Sequence, residues 1–291
     1  MTTTEKREQM ILRGKKQLNK TVRIVLTLAI CVFFLFPFYW MITTSLKPYL
    51  ETLQWPPTLW PKSFTLNGYK EVMANIDVGR YISNTLIVTF SIIVMQLIIN
   101  VPAAYAFSMW DFKGSKAAWA IVMSAFMIPG QITYITTYFM FSKWQVLGTP
   151  FLNTLLPQII PFGANAFGIF LLRQNFKQIP REIIESARLD GASEWGVIWK
   201  MMVPMSLSSM LTVALFSFIG HWNAYFWPLV MTQDDSLRPI TMVVERIKDL
   251  EQGMNYTNIM AGTTIIILPI VILFLVCSKQ IIRAMAHRGM K

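Results

Sequence analysis

Charge is what this chain has least of. Asp, Glu, Lys and Arg make up 14% of its 291 residues, where a water-soluble domain carries about a quarter. The deficit is concentrated: residues 24–46, 81–110, 117–142, 144–172, 201–233 and 252–278 contain none of the four. Each run is long enough to cross a hydrocarbon core of ~30 Å as a helix rising ~1.5 Å per residue. The runs are too long and too continuously apolar for barrel strands, and a bilayer admits only structures that satisfy their own backbone hydrogen bonds. The reading is an all-α membrane protein with six transmembrane helices. Cysteine is nearly absent too. Cys31 and Cys277 both fall inside apolar runs, where packing is the default role. There is no Gly-Lys-Ser/Thr phosphate loop, no His/Cys/Asp cluster at metal-ligand spacing and no nucleophile triad. The chain is therefore not expected to be an enzyme on its own or to hydrolyse ATP, and it has no candidate catalytic residue, metal ligand or bound cofactor.

The charge that is present is lopsided. The net charge is +11, which topology explains better than nucleic-acid binding does. If the N-terminus is cytoplasmic, 18 of the 26 Lys and Arg lie on the inner side, in the tail 1–23, the short turn 111–116, Arg173 with the loop 175–204, and the C-terminal end. Lys and Arg favour cytoplasmic loops, so both termini are expected inside a cytoplasmic (inner or plasma) membrane. The organisation that follows is a basic tail over 1–21, a permeation domain over 22–284 and a short tail over 285–291. Its spans are about 22–46, 83–109, 117–142, 152–174, 205–231 and 258–281. The first span is too long for a signal peptide, lacks a small-residue cleavage signal and is read as retained. No internal repeat or low-complexity stretch is evident.

Proline and glycine interrupt the apolar runs. Pro129-Gly130 predicts a kink in the third span, and the fourth carries Pro157, Pro161, Gly163 and Gly168. Membrane helices tolerate such residues and pack through small ones; broken helices also mark translocation paths. Gln131, Thr136 and Asn165 in these two spans, with His221, Trp222 and Asn223 in the fifth, are candidate pathway residues, because polar groups at membrane depth face a cavity or the bundle interior. Aromatic faces and amides also suit sugars. A packing histidine and an asparagine bonded across helices is the competing reading.

The loop 179–204 reads IPREIIESARLDGASEWGVIWKMMVP. Pro180 suits a first helical turn, and Glu182 and Glu185 sit where the helix dipole favours acids. Gly191 is placed to end that helix, and Ser193 to cap a second one. Ile184, Ala187 and Gly191 form a small-residue stripe, expected to face a partner. Trp195, Ile198, Trp199 and Met202 follow an apolar helical period, expected to face the membrane or bundle. Pro204 introduces the fifth span. On physical grounds alone this is a helix–turn–helix across the cytoplasmic surface, which closes the bundle or docks a partner.

The same segment resembles the permease signature of ABC importers, in which Glu-Ala-Ala, three residues, Gly, nine residues and Ile-x-Leu-Pro form the loop that docks on the ATPase. Here Glu185-Ser186-Ala187, Gly191 and Met201-Met202-Val203-Pro204 stand in those places. PFYWMITTSLKP from Pro37, PAAYAFSMWDFKG from Pro102, FGIFLLRQNFKQIPREIIESARLDGAS from Phe167 and FIGHWNAYFWPLV from Phe218 extend the resemblance. They are similar to the carbohydrate-uptake permeases, including the second, maltose-type inner-membrane permease of binding-protein-dependent transport systems. The Gly- and Thr/Ala-rich ending of that subunit is replaced by His287-Arg288-Gly289-Met290-Lys291, so the resemblance carries over no ATPase contact for the tail.

The resemblance implies an ABC type I importer permease fold with a cytoplasmic coupling helix, in which Glu185, Ser186, Ala187, Asp190, Gly191 and Pro204 engage a cytoplasmic ATPase dimer. ATP and Mg bind that partner. A second homologous permease completes the pore, and an extracytoplasmic solute-binding protein delivers a sugar. Gln252, Gly253, Asn255 and Tyr256, between the last two spans, match in position a loop that reaches into the binding protein; a solvated connector fits them equally. Alternatives are an importer of the same architecture for a solute such as glycerol phosphate, which basic pathway residues would favour, and an ATP-independent secondary transporter. The spans lack basic residues for the first and the coupling acids the second calls for.

Overall fold

A computed structural model describes residues 3–251 and 254–286, with side chains placed for 20–248 and 254–275. Most of it is helical. In chain order the helices are α1 Thr3–Ser45, α2 Tyr49–Thr52, α3 Asn67–Asn75, α4 Val78–Met109, α5 Ser115–Met127, α6 Tyr134–Phe141, α7 Leu156–Ile159, α8 Ala166–Phe176 and α9 Arg181–Leu189. They continue as α10 Glu194–Met205, α11 Leu207–Trp222, α12 Phe226–Met231, α13 Val243–Glu251 and α14 Tyr256–Ala286. The only sheet among the described residues is a hairpin pairing Gln145–Val146 with Thr149–Pro150.

The expected six transmembrane helices are met in part. Among the described residues, three helices are long and apolar enough to cross a bilayer: Lys20–Ser45, Val78–Met109 and Tyr256–Leu275. Two bent pairs raise the number to five at most. In one, α5 meets the segment Gly130–Phe141 at 89°. The break falls at Pro129-Gly130, where Ile128 is extended, as a residue before proline tends to be. In the other, α10 meets α11 at 82° around Ser206. The fourth expected span, 152–174, is in pieces: α7, a 3-10 turn over Ile160–Phe162, and α8. Pro157 and Pro161 each remove a backbone donor, and Asn165 starts a fresh helix by accepting from the Gly168 N–H at 3.0 Å.

The chain forms two compact units. The first comprises Met1–Val72 and Ile247–Thr264. Here the end of α1 is fixed by Ser45 Oγ on Tyr69 Oη at 2.8 Å. The start of α14 is fixed by Thr257 Oγ1 donating to the Lys47 carbonyl at 3.1 Å and Asn258 Nδ2 to Glu71 at 2.7 Å.

The second comprises Met73–Arg246 and Ile265–Lys291. Its core packs α4 against α8 and α11, with Val101, Ala104, Tyr105, Leu172, Phe176 and Val213 buried. Gly168 permits this contact: a Cβ there would stand 2.7 Å from Asn100 Nδ2 and 3.2 Å from Val213 Cγ1.

Helix α4 also carries a buried polar column, Thr85, Gln96 and Asn100. Gln96 Nε2 donates to the Phe162 carbonyl at 2.9 Å, Asn100 Oδ1 accepts from Asn165 N at 3.1 Å, and Thr85 Oγ1 accepts from Ile240 N at 2.8 Å. Two of these bonds hold the broken fourth segment. An unmatched backbone group in hydrocarbon costs several kcal/mol, so these side chains are what allow the chain to break there.

Candidate functional site

The strongest candidate is the elbow between α8 and α11. Pro180 caps α9 with extended backbone, and α9 closes at Leu189. Gly191 N–H bonds the Arg188 carbonyl and Ala192 N–H the Ala187 carbonyl, both at 3.0 Å, the paired bonds of a Schellman ending. Gly191 has φ +81°, a left-handed conformation that costs an L side chain ~1–2 kcal/mol. Ser193 then caps α10, accepting from Gly196 N at 3.2 Å. Within α10, Ile198–Met202 forms a π-helical turn.

The structure corrects the expected orientation of α9. Ile184 and Ala187 are not turned outward. They are buried in the same core as Tyr105, Phe176, Val197, Ile198 and Met202. The reason is apolar burial: Ile184 and Ala187 are the face of α9 that joins the cluster formed at the ends of α4 and α8 by Tyr105 and Phe176. The outward face is Glu182, Glu185, Ser186 and Leu189, with Asp190 and Gly191 at the tip. Leu189 is 89% exposed, and a Cβ on Gly191 would meet nothing within 4 Å. In α10 the apolar stripe divides: Ile198 and Met202 are buried, whereas Trp195 and Trp199 stay exposed. Pro204 lies exposed near the end of α10.

A polar knot missed by sequence reasoning ties this elbow to α4. Arg188 Nε meets Glu194 Oε1 at 2.8 Å across the Gly191 turn. Tyr105, 1% exposed, donates its hydroxyl to Glu194 Oε2 at 2.6 Å and accepts from Arg188 Nη2 at 3.2 Å. The Tyr105 bond, aided by Arg188 and opposed by burial, holds the Glu194 carboxyl below the usual carboxylate range. A basic residue in the last turn of one helix and an acid opening the next was a readable signal. Tyr105, 83 positions before Arg188, was not. Beside the knot, Arg173 Nε donates to the Phe107 carbonyl at 2.9 Å, and its guanidinium lies 4.0 Å from the Trp119 ring centroid. The elbow is thus fastened to α4, and the end of α8 that leads into it to α4 and α5.

The candidate pathway residues do not converge. Gln131 and Thr136 are exposed around the α5–α6 bend, and Thr136 bonds back to the Thr133 carbonyl. Asn165 is a helix cap. Trp222 is fully buried, stacked on Phe218 and donating Nε1–H to the Ile266 carbonyl at 3.2 Å; it is engaged in packing. Asn223 is exposed and returns to the Ile219 carbonyl. His221 lines a small pocket with Thr85, Gln158, Phe162 and Trp227; its ring is 4.9 Å from that of Phe162. Gln158, in turn, is engaged by Thr232 and the Leu237 carbonyl. Of the segment between the last two spans, Gln252 and Gly253 lie outside the described residues. Asn255 caps α14 by accepting from Asn258 N, and Tyr256 is exposed.

Comparison with known proteins places this architecture. The chain is 27% identical over 261 residues to the arabinooligosaccharides transport system permease protein AraQ of Halalkalibacterium halodurans, spanning 88% of this chain and 91% of the relative. It is 26% identical over 251 residues to the lactose transport system permease protein LacG of Rhizobium radiobacter, spanning 86% and 89%. A solved bacterial ABC transporter that imports the acidic polysaccharide alginate contains a chain with the same fold, at a TM-score of 0.79 and 24% identity over 91% of this chain and 97% of that one. Residues 11–288 match one family across nearly the whole sequence, and the chain belongs to it: the inner membrane components of binding-protein-dependent transport systems.

Proposed function

We propose that the chain is one permease subunit of an ATP-driven importer of sugars, of the oligosaccharide class, with its termini and elbow in the cytoplasm. In this reading six membrane crossings are made from the helical pieces described above, the fourth being the broken segment α7–α8. A second homologous permease completes the pore. A cytoplasmic ATPase dimer, which holds ATP and Mg, docks on α9, and an extracytoplasmic solute-binding protein delivers the sugar. The chain contributes no catalytic group; it converts movement of the ATPase into movement of spans.

The observation that carries this reading is the two-sidedness of α9. Its buried face and the Arg188–Glu194–Tyr105 knot join it to α4 and α8, while Glu185, Ser186 and Leu189 are presented outward at the tip. A helix attached on one face and vacant on the other can pass on a push. Closure of the ATPase dimer on ATP tilts α9, and the core of α4, α8 and α11 moves with it. Coupling of this kind requires that ATP-bound and ATP-free partners favour different permease conformations. Sugar selectivity is inherited from the named relatives, which include permeases for arabinooligosaccharides and lactose.

Vesicles reconstituted with this chain, its companion permease, the ATPase and the binding protein should take up labelled oligosaccharide only with ATP inside. Uptake without the ATPase, or an elbow accessible from the extracellular side, would refute the reading.

A further inference from the structure

The loop that follows α1 is built with its charges inside and its apolar side chains outside. Lys47 is 2% exposed and Glu51 6% exposed. Lys47 Nζ donates to the Thr58 carbonyl and lies 4.6 Å from the Trp40 ring centroid. Glu51 accepts from Thr58 Oγ1 at 2.7 Å and from Lys62 N at 3.0 Å. Burial pushes the Glu51 carboxyl up, but bonds from Lys62, Thr58 and the Ser63 backbone, with the Lys47 charge, more than offset it and hold the group ionised. With its only acid consumed inside, residues 48–61 show no charge at their surface. What they and the adjoining turn show instead is Leu50, Leu53, Trp55, Leu59, Trp60 and Phe64, each more than half exposed, and Trp55 89% exposed. Loops facing water are ordinarily arranged the other way round.

The position of this surface is set by one bond. Tyr39 Oη donates to the Leu59 carbonyl at 2.9 Å. Tyr39 lies six residues before the end of α1, roughly 9 Å back along its axis at ~1.5 Å per residue. The loop therefore folds back beside the span instead of rising from its end. The flank of α1 next to it is itself apolar and exposed from Phe33 to Phe38, so the apolar surface continues from the loop onto the span, with Lys62 the one exposed charge of residues 49–64, its Nζ donating to Gln54 Oε1 at 2.9 Å.

We infer that residues 49–64 are a monotopic anchor, sinking their Trp, Leu and Phe side chains into the headgroup–acyl boundary of the bilayer beside α1. Tryptophan and tyrosine favour that boundary, and an apolar element lying in it binds through buried area. A protein-docking face would ordinarily carry a polar, charged rim; residues 49–64 expose a single charge, Lys62, and a long lysine side chain at that boundary reaches up to the headgroups. The internal Lys47–Glu51 arrangement makes the anchor a preformed rigid platform at the end of the first span. This inference concerns the first unit alone and stands whether or not the chain moves sugar.

The test uses the full chain, assembled with its partner subunits in lipid vesicles. Trp55→Cys and Leu59→Cys, each in a Cys31→Ser, Cys277→Ser background, are labelled with a polarity-sensitive fluorophore, and Lys70→Cys on α3 serves as the comparison. Both loop labels should emit to the blue of the Lys70 label and be shielded from aqueous iodide. Nitroxides near the lipid headgroup should quench them more than nitroxides at the chain end. Labels open to iodide and untouched by lipid nitroxides would overturn the anchor. So would shielding that arises only when the solute-binding protein is added, which would make the patch a protein-docking face. A second measurement needs no substitution: a diazirine lipid photolysed with the unaltered chain should leave adducts on peptides covering 49–64, and their absence would equally overturn it.

Discussion

Replacing Tyr105 with Phe should loosen the elbow without unfolding the bundle. The ring would keep its place in the core of α4 and α8, and only the hydroxyl would be lost. With it go the 2.6 Å bond to Glu194 and the 3.2 Å bond from Arg188. A hydrogen bond to a charged group contributes ~1.5–3 kcal/mol. The Arg188–Glu194 pair would survive, but its side chains are 38% and 39% exposed, and such pairs contribute ~0–1 kcal/mol. The Tyr105 hydroxyl is thus the larger part of the knot. Its loss should raise local opening of 181–198 by about tenfold to a hundredfold, at 1.4 kcal/mol per decade. Amide hydrogen exchange on the chain in a lipid disc reads that directly, with peptides from α4 and α11 as internal references. If the elbow transmits force, sugar uptake per ATP hydrolysed should fall while the ATPase still binds. Unchanged exchange over 181–198 in Tyr105→Phe would show that the apolar face alone holds the elbow, and the knot would lose its role.

Other outcomes follow from the same geometry. Gly191→Asp should abolish uptake and weaken co-purification of the ATPase while the chain remains in the membrane; its Cβ meets no atom of this chain within 4 Å, so the lesion is backbone strain and charge at the outward tip. Ala187→Leu should act differently, lowering the melting temperature of the chain even without the ATPase, because overpacking a filled core costs about 1–3 kcal/mol. The pH dependence has a definite sign. Glu194 is held below the usual carboxylate range, so its contribution is fully present above the unfolded carboxylate value and is lost as pH falls through the lower, folded one. Protection of the elbow should therefore be flat across neutral pH and drop only in acid, and Glu194→Gln should remove that acid step.

What the sequence determined by itself is what depends on local chemistry. Uncharged runs as long as a bilayer is thick mark mainly helical segments suited to a membrane, though not whether each run stays one helix. Gly191 ends a helix in the left-handed region because that conformation is a property of a few adjacent residues, and Pro129-Gly130 bends the chain for the same reason. The tertiary structure decided everything that depends on who faces whom. Periodicity places Ile184 and Ala187 on one face of α9 but does not say whether that face meets a partner or the chain's own core; only contact with α4 and α8 settles that it is inward. The fourth apolar run reads as a single span until Gln96 and Asn100, about 65 residues away in sequence, supply the bonds that let it break. Tyr105 reaches Glu194 across 89 positions, and no pattern in either neighbourhood announces that meeting. Long-range hydrogen bonds have no period, and so they become visible only once the chain has folded.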